Sequence, residues 1–540
     1  MSISAHCVAI RRAFTHATRC VALFGATHAL AAQERPIAAP PVPSAAVASD
    51  TLPTLPGPAV RRIATAQAVS ASTFGTIGQV RGLPDGRVLV NDVVARRLML
   101  LDTLLGEVYV VLDSLSERDN FYGVQPGTLV THRLDSSMFV DPSTLAMLQI
   151  DGQGRVTRVR AVPRSETVSA LRSPTAGTAA IDARGRLVHR LSARAAPPPP
   201  SSVPGMPAVP QPPDTAFVVG THLDTRQADT LGVVRLAKVV YSVRLEPEGY
   251  YSFNTVPNPL PLVDDWAVLD DGTIAFVRGL DYRVEFRAPD GTTRSGQRLP
   301  FAWQPLDDAA KAAFVDSMRG AQVKSAQTNY ATSMIAWSNL LNKPYPASFT
   351  VPDGYVPPPG LPADWILPPG VRFPENYVAA CPPGVTPAGG MSIYSAPISL
   401  TPPPSGPPAP GQPNCTQSFY SEMYGQGYTP PAPIYRAPTL VQVGDLPDYK
   451  PAFAAGAARA DADGQLWVRL NLPLSPRQGA VYDIIDPTGT LADRIQLPAG
   501  HTLVGFGPGR VVYLTTRDAS GLKLARVRLR PPGETENGAP

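Results

Sequence analysis

ADADGQLWVRL, Ala460 to Leu470, sets an Asp-Gly pair ahead of alternating large and polar residues, and LPDGRVLVND (Leu83 to Asp92) and LDDGTIAFVRG (Leu269 to Gly279) repeat the phrase. Asp-Gly supplies the positive φ of a tight turn, and the alternation suits a strand with one buried face, so each phrase predicts a β-hairpin. The second half of the unit recurs as well, in RLMLLDTLLGEVYVVLD (Arg97 to Asp113), YRVEFRAPDGTTRSGQRL (Tyr282 to Leu299) and AVYDIIDPTGTLADRIQL (Ala480 to Leu497). From first to second turn glycine the spacing is 20 for Gly86 to Gly106, 19 for Gly272 to Gly291 and 25 for Gly464 to Gly489. Composition alone does not produce such a period.

Degenerate copies fill the intervals. VQPGTLVTH (Val124 to His132) leads to LAMLQIDGQGRVTRVRAV (Leu145 to Val162), and IDARGRLVHRL (Ile181 to Leu191) leads across a proline tract to FVVGTHLDTRQADTLGVV (Phe217 to Val234). The last copy, Leu503 to Leu529, has a first hairpin and a third strand but lacks the final turn and strand. AVRRIATAQAV, Ala59 to Val69, is a strand-like piece without a partner of its own. The two deficits cancel if the ends pair, which hides strand edges that would otherwise invite aggregation. The expected fold is therefore all-β, with units at 74–113, 118–162, 176–242, 262–300, 452–498 and 500–530, the last closed by 59–69. A β-sandwich with similar hairpins is the alternative.

On DDWAVLDDGTIAFVRGLDYRVEF (Asp264 to Phe286) and ARADADGQLWVR (Ala458 to Arg469), the chain resembles the six-bladed β-propeller superfamily, specifically the NHL-like and TolB-like secreted bacterial propellers. The resemblance covers most of 59–304 and 448–530. It implies architecture more than chemistry.

Two stretches break the period. Ala196 to Asp214 is proline-rich and predicts an extended surface loop, since proline donates no ladder hydrogen bond. The longer one, 305–447, opens with a helix capped by Asp307 or Asp308 and ended by Gly320, followed by a second helical piece from Ala326 to Leu341. Of the 63 prolines, 26 lie between Pro344 and Pro447, so no regular core is expected there. In a four-stranded meander both insertions replace connections at the same end of the unit, opposite the Asp-Gly turns. Function in such scaffolds sits on elaborated loops.

Charged residues make up 17% of the 540, and the net charge is +4 without a basic run, which argues against nucleic acid as a partner. Arg11, Arg12 and Arg19 precede the apolar run CVALFGATHALAA, so residues 1–32 read as a signal peptide, 33–58 as a Pro/Ala-rich linker and 531–540 as a tail. A secreted or periplasmic location follows, with no transmembrane segment. Removal of the leader leaves Cys381 and Cys415, which in an exported chain predict one disulfide.

G-x-S-x-G, H-E-x-x-H and phosphate-cradling glycine loops are all missing. His132, His189, His222 and His501 stand apart from one another and predict structural or surface roles. Some propellers of the resembled kind are calcium-dependent lactonases or lyases, for which Asn91, Asn120, Asp265 and Glu117 are conceivable ligands, though no family motif matches residue by residue. The expected ligand-binding set is Arg278, Asp281 and Tyr282 in VRGLDYRV, Trp266 in the same unit, and Arg469 and Asn471 in the fifth. An Arg278–Asp281 pair that pins the loop is the alternative. The expected function is non-enzymatic binding or scaffolding, recognising a glycan, peptide or cell-envelope partner. No cofactor is expected, with calcium entering under the enzyme alternative.

Overall fold

The Asp-Gly phrases fold as one recurring turn. In Leu269 to Thr273 the Leu269 N–H donates to Thr273 O at 2.8 Å and the Gly272 N–H to Leu269 O at 2.9 Å, with Gly272 at φ +86°. The same two bonds close Asp182 to Arg186, Ala288 to Thr292 and Asp486 to Thr490. Where the turn begins with Asp, its side chain joins in: Asp182 Oδ1 accepts the Arg184 and Arg186 N–H groups, each at 2.9 Å. The turn Asp102 to Gly106 departs from expectation, because the positive φ (67°) falls on Leu105 and not on Gly106. The interval from Gly86 is then 105 minus 86, or 19 positions, equal to that from Gly272 to Gly291. Leu105 is buried, and its packing offsets the cost of the left-handed conformation.

The computed structural model describes residues 54–63, 65–115, 120–131, 135–191, 208–209, 211–245, 251–340 and 435–531, with backbone alone at 335–340. Two units are distinguished, Ser44–Ala312 with Val441–Pro540, and Ala313–Leu440 with Met1–Pro43. The first holds the sheets. Two short strands, β1 (Arg61–Arg62) and β2 (Ala68–Val69), precede a series of antiparallel meanders. The first meander is β3 (Ile77–Gly82), β4 (Val88–Asp92), β5 (Arg97–Leu101) and β6 (Glu107–Asp113). The second is β7 (Thr128–Thr131), β8 (Ser137–Asp141), β9 (Ala146–Ile150) and β10 (Val156–Ala161); the third is β11 (Ala180–Ile181), β12 (Arg186–Arg190), β13 (Thr215–His222) and β14 (Ala228–Arg235). A separate hairpin, β15 (Val240–Leu245) and β16 (Tyr251–Val256), intervenes. The fourth meander is β17 (Asp265–Val268), β18 (Ile274–Arg278), β19 (Arg283–Arg287) and β20 (Thr293–Arg298). The fifth is β21 (Ala458–Ala460), β22 (Leu466–Arg469), β23 (Val481–Ile485) and β24 (Leu491–Gln496). β25 (Thr502–Gly507), β26 (Val511–Asp518) and β27 (Gly521–Arg528) complete the strands of the described residues. The expectation of an all-β fold of repeated, curled meanders holds.

The strand-like piece at 59–69 serves two sheets. Its second half pairs antiparallel with β27, Ala68 opposite Arg526 and Val69 opposite Ala525, so β2 is the fourth strand of the last meander. Its first half, β1, lies parallel along β24, with Arg61 opposite Ile495, and the Arg61 guanidinium meets Asp493. First strands of neighbouring meanders run parallel: β25 beside β3, β7 beside β11, and Thr178 beside Ala267. Buried apolar clusters are likewise shared between neighbours. Leu98 and Leu112 pack with Phe139 and Leu148 of the second meander, and Trp266 and Phe276 with Val218 of the third. Val80 and Val90 of the first meander pack with Tyr513 and Leu524 of the last.

Because neighbouring first strands are parallel, each meander presents two like ends. The turn end carries the connections between strands one and two and between three and four. The crossing end carries the connections between strands two and three and the links to the next meander. Helix α1 (Ser165–Arg172) and the β15–β16 hairpin lie in links between meanders, at the crossing end, and the connection from β20 to β21 leaves and rejoins the sheets there. That last connection leaves and returns at one neck, where Leu306 N donates to Asp448 O (2.7 Å), Lys450 N to Gln304 O (3.0 Å) and Lys311 pairs with Asp448 at 2.7 Å. Asp307 caps α2 (Asp308–Leu340), its carboxylate accepting the Ala310 N–H at 2.7 Å. The expected break at Gly320 does not occur: one helix runs through it and into the 326–341 piece, and a single glycine costs only about 1 kcal/mol in a helix of that length. Most of the proline loop 196–214, together with Cys381 and Cys415, lies outside the described residues.

Removing residues 54–70 deletes both β1 and β2, exposing the outer edges of β24 and β27. The truncated protein is expected to aggregate or to melt on the order of 10 °C lower by circular dichroism; melting at the parent temperature would show that these strands do not hold the last sheets.

Candidate functional site

Arg278 ends β18, and the connection Gly279 to Tyr282 turns the chain into β19 at the crossing end. The guanidinium donates to Glu285 Oε2 (2.8 Å), Asp264 Oδ2 (2.8 Å) and Val233 O (2.7 Å), and stands 5.2 Å from the Phe276 ring centre. Asp281 instead faces Arg283 at 3.3 Å and Arg298 at 3.9 Å. The alternative of an Arg278–Asp281 pair does not form; the two belong instead to an alternating row of charges, Asp264, Arg278, Glu285, Arg283, Asp281 and Arg298. Burial works to raise the Glu285 carboxyl, but hydrogen bonds from Arg278 and Arg283 hold it below the ordinary value. The row fixes the loop and carries Leu280 outward at 66% exposure.

Tyr282 is fully buried. At φ 46° the backbone swings its ring inward against Phe301 and Phe453, with centroids 5.9 and 5.8 Å away. Its hydroxyl donates to Asp483 Oδ2 at 2.8 Å, and Asp483 in turn accepts from Arg494 Nε at 2.5 Å. Such a buried pair tolerates loss of one partner poorly. Trp266 is buried too, with Nε1 donating to Ala176 O at 2.9 Å. Tyr282 and Trp266 therefore join neighbouring meanders and present no surface to a ligand. Arg469 and Asn471 are exposed; the Arg469 N–H donates to Ala457 O at 3.1 Å and the Asn471 N–H to Ala452 O at 2.7 Å.

The residues considered for calcium are dispersed. Asn91 is buried, donating to Gln79 Oε1 and Gly127 O (3.0 Å each) and accepting from the Tyr122 hydroxyl at 2.9 Å. Asn120 lies in the link from β6 to β7, its carbonyl bonded to the Asp113 N–H. Asp265 accepts the Ala458 N–H at 2.8 Å and the Trp266 N–H at 2.9 Å, joining β17 to β21. Glu117 and His132 lie outside the described residues. His189 is buried against Thr221 at 2.9 Å and burial depresses it to about 4, which suits the structural role expected of it. Among the described residues no three His, Cys, Asp or Glu side chains are grouped as metal ligands.

Reading for charged and aromatic residues missed the apolar ones. At the crossing end Val94 (66%), Leu115 (87%), Val124 (65%) and Leu280 (66%) are exposed, with Phe121 and Leu145 beside them in the connections of the first two meanders. Among the described turn-end connections, Leu104 is the large apolar residue so exposed. An aliphatic residue inside a turn, as Leu280 in Gly279-Leu280-Asp281 or Val94 between Asp92 and Arg96, was the available signal.

No family model matches this chain, and no curated protein matches it. Among solved structures, a calcium-binding protein, regucalcin, from Agrobacterium tumefaciens is 10% identical, with 87% of this chain and 98% of that one covered at a TM-score of 0.26. A streptogramin B lyase is 10% identical, covering 42% of this chain and 70% of the other at 0.22, and a chain of a nidogen/laminin complex is 14% identical, covering 42% and 67% at 0.22. At these scores none of the likenesses transfers a site or an activity.

Burial pushes the Asp265 carboxyl up to about 7 against the backbone N–H groups that favour its ionised form. The folded chain thus keeps a proton that the unfolded chain releases at about pH 4. The stability contributed by this group is full below about pH 4 and falls as pH rises through the folded value near 7. Relative to Asp265→Asn, the parent should lose roughly 2 to 4 kcal/mol of unfolding free energy between these limits in urea titrations; a difference that does not vary with pH would refute a protonated Asp265.

Proposed function

We propose that this chain is an exported binding or scaffolding module, a six-bladed β-propeller of the NHL-like kind, that recognises a peptide, glycan or cell-envelope partner at its crossing end. The observation that carries the reading is the asymmetry of exposed large apolar residues among the described connections: Val94, Leu115, Val124 and Leu280 in those of the crossing end, against Leu104 in those of the turn end. Exposed aliphatic side chains repay burial by a partner at about 25 cal/mol per Å², which favours a peptide or protein over a sugar.

The six-blade count is supported by the five complete meanders and the last one completed by β2. Export is supported by the arginines and apolar run of residues 1–32, and among the described residues no helix is long and apolar enough to cross a membrane. A Cys381–Cys415 disulfide would suit that compartment. Arg278, Asp281, Arg469 and Asn471 supply polar groups around the apolar loops, Arg278 and Asp281 through the fixed charge row and Arg469 and Asn471 as exposed side chains. Tyr282 and Trp266 act from beneath by holding those loops.

The test uses chain lacking residues 1–32 on peptide and glycan arrays. Replacing Leu115 and Leu280 together by Ser should weaken whatever ligand is found about tenfold or more, with the melting temperature nearly unchanged, whereas Leu104→Ser should do nothing. The reverse pattern would move binding to the other end. Metal content and turnover of lactones and esters are measured on the same sample, and a bound divalent ion with turnover would replace binding by catalysis.

A further inference from the structure

In the link between the third and fourth meanders, β15 and β16 form a sheet of two strands that pairs with no other among the described residues. Its register is unbroken, from Val240 opposite Val256 to Leu245 opposite Tyr251. The outer strands of the meanders differ. The pairs β5–β6, β9–β10, β13–β14, β19–β20 and β23–β24 each carry a register shift, the kind of irregularity that keeps a bare edge from accepting another strand. β26–β27 runs without one, and its outer edge is the one that receives β2. β24 receives β1 at Ile495 and Gln496, away from its shift beside Ile485. An even register at an edge thus goes with an added strand, and β15–β16 has the even register without the strand. Val240 to Leu245 have no hydrogen-bond partner outside β16 among the described residues. Alternation gives the hairpin an apolar side, Tyr241, Val243 and Leu245 opposite Thr255, Phe253 and Tyr251, and none of these belongs to a buried cluster. Leu245 is 58% exposed. The other side carries Arg244, which makes no ion pair among the described residues. Both ends of the hairpin are anchored, since Lys238 pairs with Asp445 at 3.1 Å and Asn258 Nδ2 donates to Asp445 O at 3.0 Å.

We propose that the outer edge of β15 takes an extended segment of a partner polypeptide as a third strand, with alternate apolar residues on the side of Tyr241, Val243 and Leu245 and an acidic residue beside Arg244. The inference rests on the reading that a partner binds at the crossing end, and it names that partner's chemistry. A peptide backbone offers the matching row of N–H and C=O groups, which a sugar lacks, and side-chain alternation then supplies the specificity. A two-stranded sheet is marginal by itself and gains from a third strand, so the addition stabilises both partners. With its two ends held on Asp445, the hairpin is fixed in place before the segment arrives, which lowers the ordering cost of binding. An aspartate or glutamate on the Arg244 side adds a cross-strand pair of opposite charge.

The probes are labelled synthetic peptides of about nine residues in which valine or phenylalanine alternates with threonine, aspartate or lysine, titrated against the full chain by fluorescence anisotropy. Saturable binding of an aspartate-bearing peptide is expected, and none by the same residues in shuffled order. Methylating every second amide nitrogen of that peptide should weaken binding about tenfold or more in one phase of the alternation and leave it nearly unchanged in the other, because only alternate N–H groups face β15. Arg244→Glu should weaken the aspartate peptide several-fold and favour its lysine counterpart. Equal effects of the two methylated forms, or no saturable binding by any peptide, overturn the proposal. A parent that sediments as a dimer, with the dimer lost in Val243→Pro, assigns the edge to a second copy and overturns it as well. Binding that is lost on replacing Leu115 and Leu280 by Ser, yet is indifferent to both methylations, overturns the added strand and leaves the crossing-end reading standing.

Discussion

The pairing of Gln67 to Ser70 with β27 is the contact on which the remaining architecture depends. Gln67 N donates to Arg526 O and Ser70 N to Leu524 O, each at 2.8 Å, and Ser70 Oγ accepts the Leu524 N–H at 3.0 Å. These bonds join the earliest strands of the described chain to its latest. On the inner side β25 lies beside β3, and Gly505 makes the approach possible, since a Cβ there would fall 1.9 Å from Val80 O. The last sheet is thus completed and attached to the first by the same ends of the chain. An antiparallel set of three strands with a bare edge would be both weaker and prone to pair with another molecule.

Local chemistry made much of this legible. An Asp-Gly turn needs only its own five residues, so Leu269 to Thr273 and Asp486 to Thr490 were readable as written. Leu105 shows the limit of that reading. The positive φ falls on the fourth residue of the turn, which here is a buried leucine and not the neighbouring glycine. The segment 59–69 was recognisable as strand, yet its division between β24 and β27 depends on where two sheets stand, which no local pattern records.

The candidate site was less legible, for a related reason. VRGLDYRV contains charges and an aromatic ring in a loop, a pattern common to binding sites and to structural turns. Arg278 is claimed by Asp264, fourteen positions earlier, and by Glu285 across the hairpin, and Tyr282 by Asp483, two hundred and one positions later. Burial of Tyr282 follows from its backbone conformation, and that is set by the turn. The exposed residues nearby are instead aliphatic. Leu280 and Val94 occupy turns whose shape is already fixed by Asp264 and Asp92, the latter accepting the N–H groups of Thr76, Val94 and Ala95, so those side chains are spared from holding the fold. Loops clamped by carboxylates are held rigid, and rigid loops lose less entropy on binding than mobile ones.

Native-state hydrogen exchange read by mass spectrometry bears most directly on closure. If β2 completes the last sheet, the amides of Gln67 and Ser70 should be protected to the same degree as those of β27, opening only when the strands of 502–528 open. Exchange of the 67–70 peptide within the dead time, with β27 still protected, would contradict the account, because the last sheet would then stand without its fourth strand.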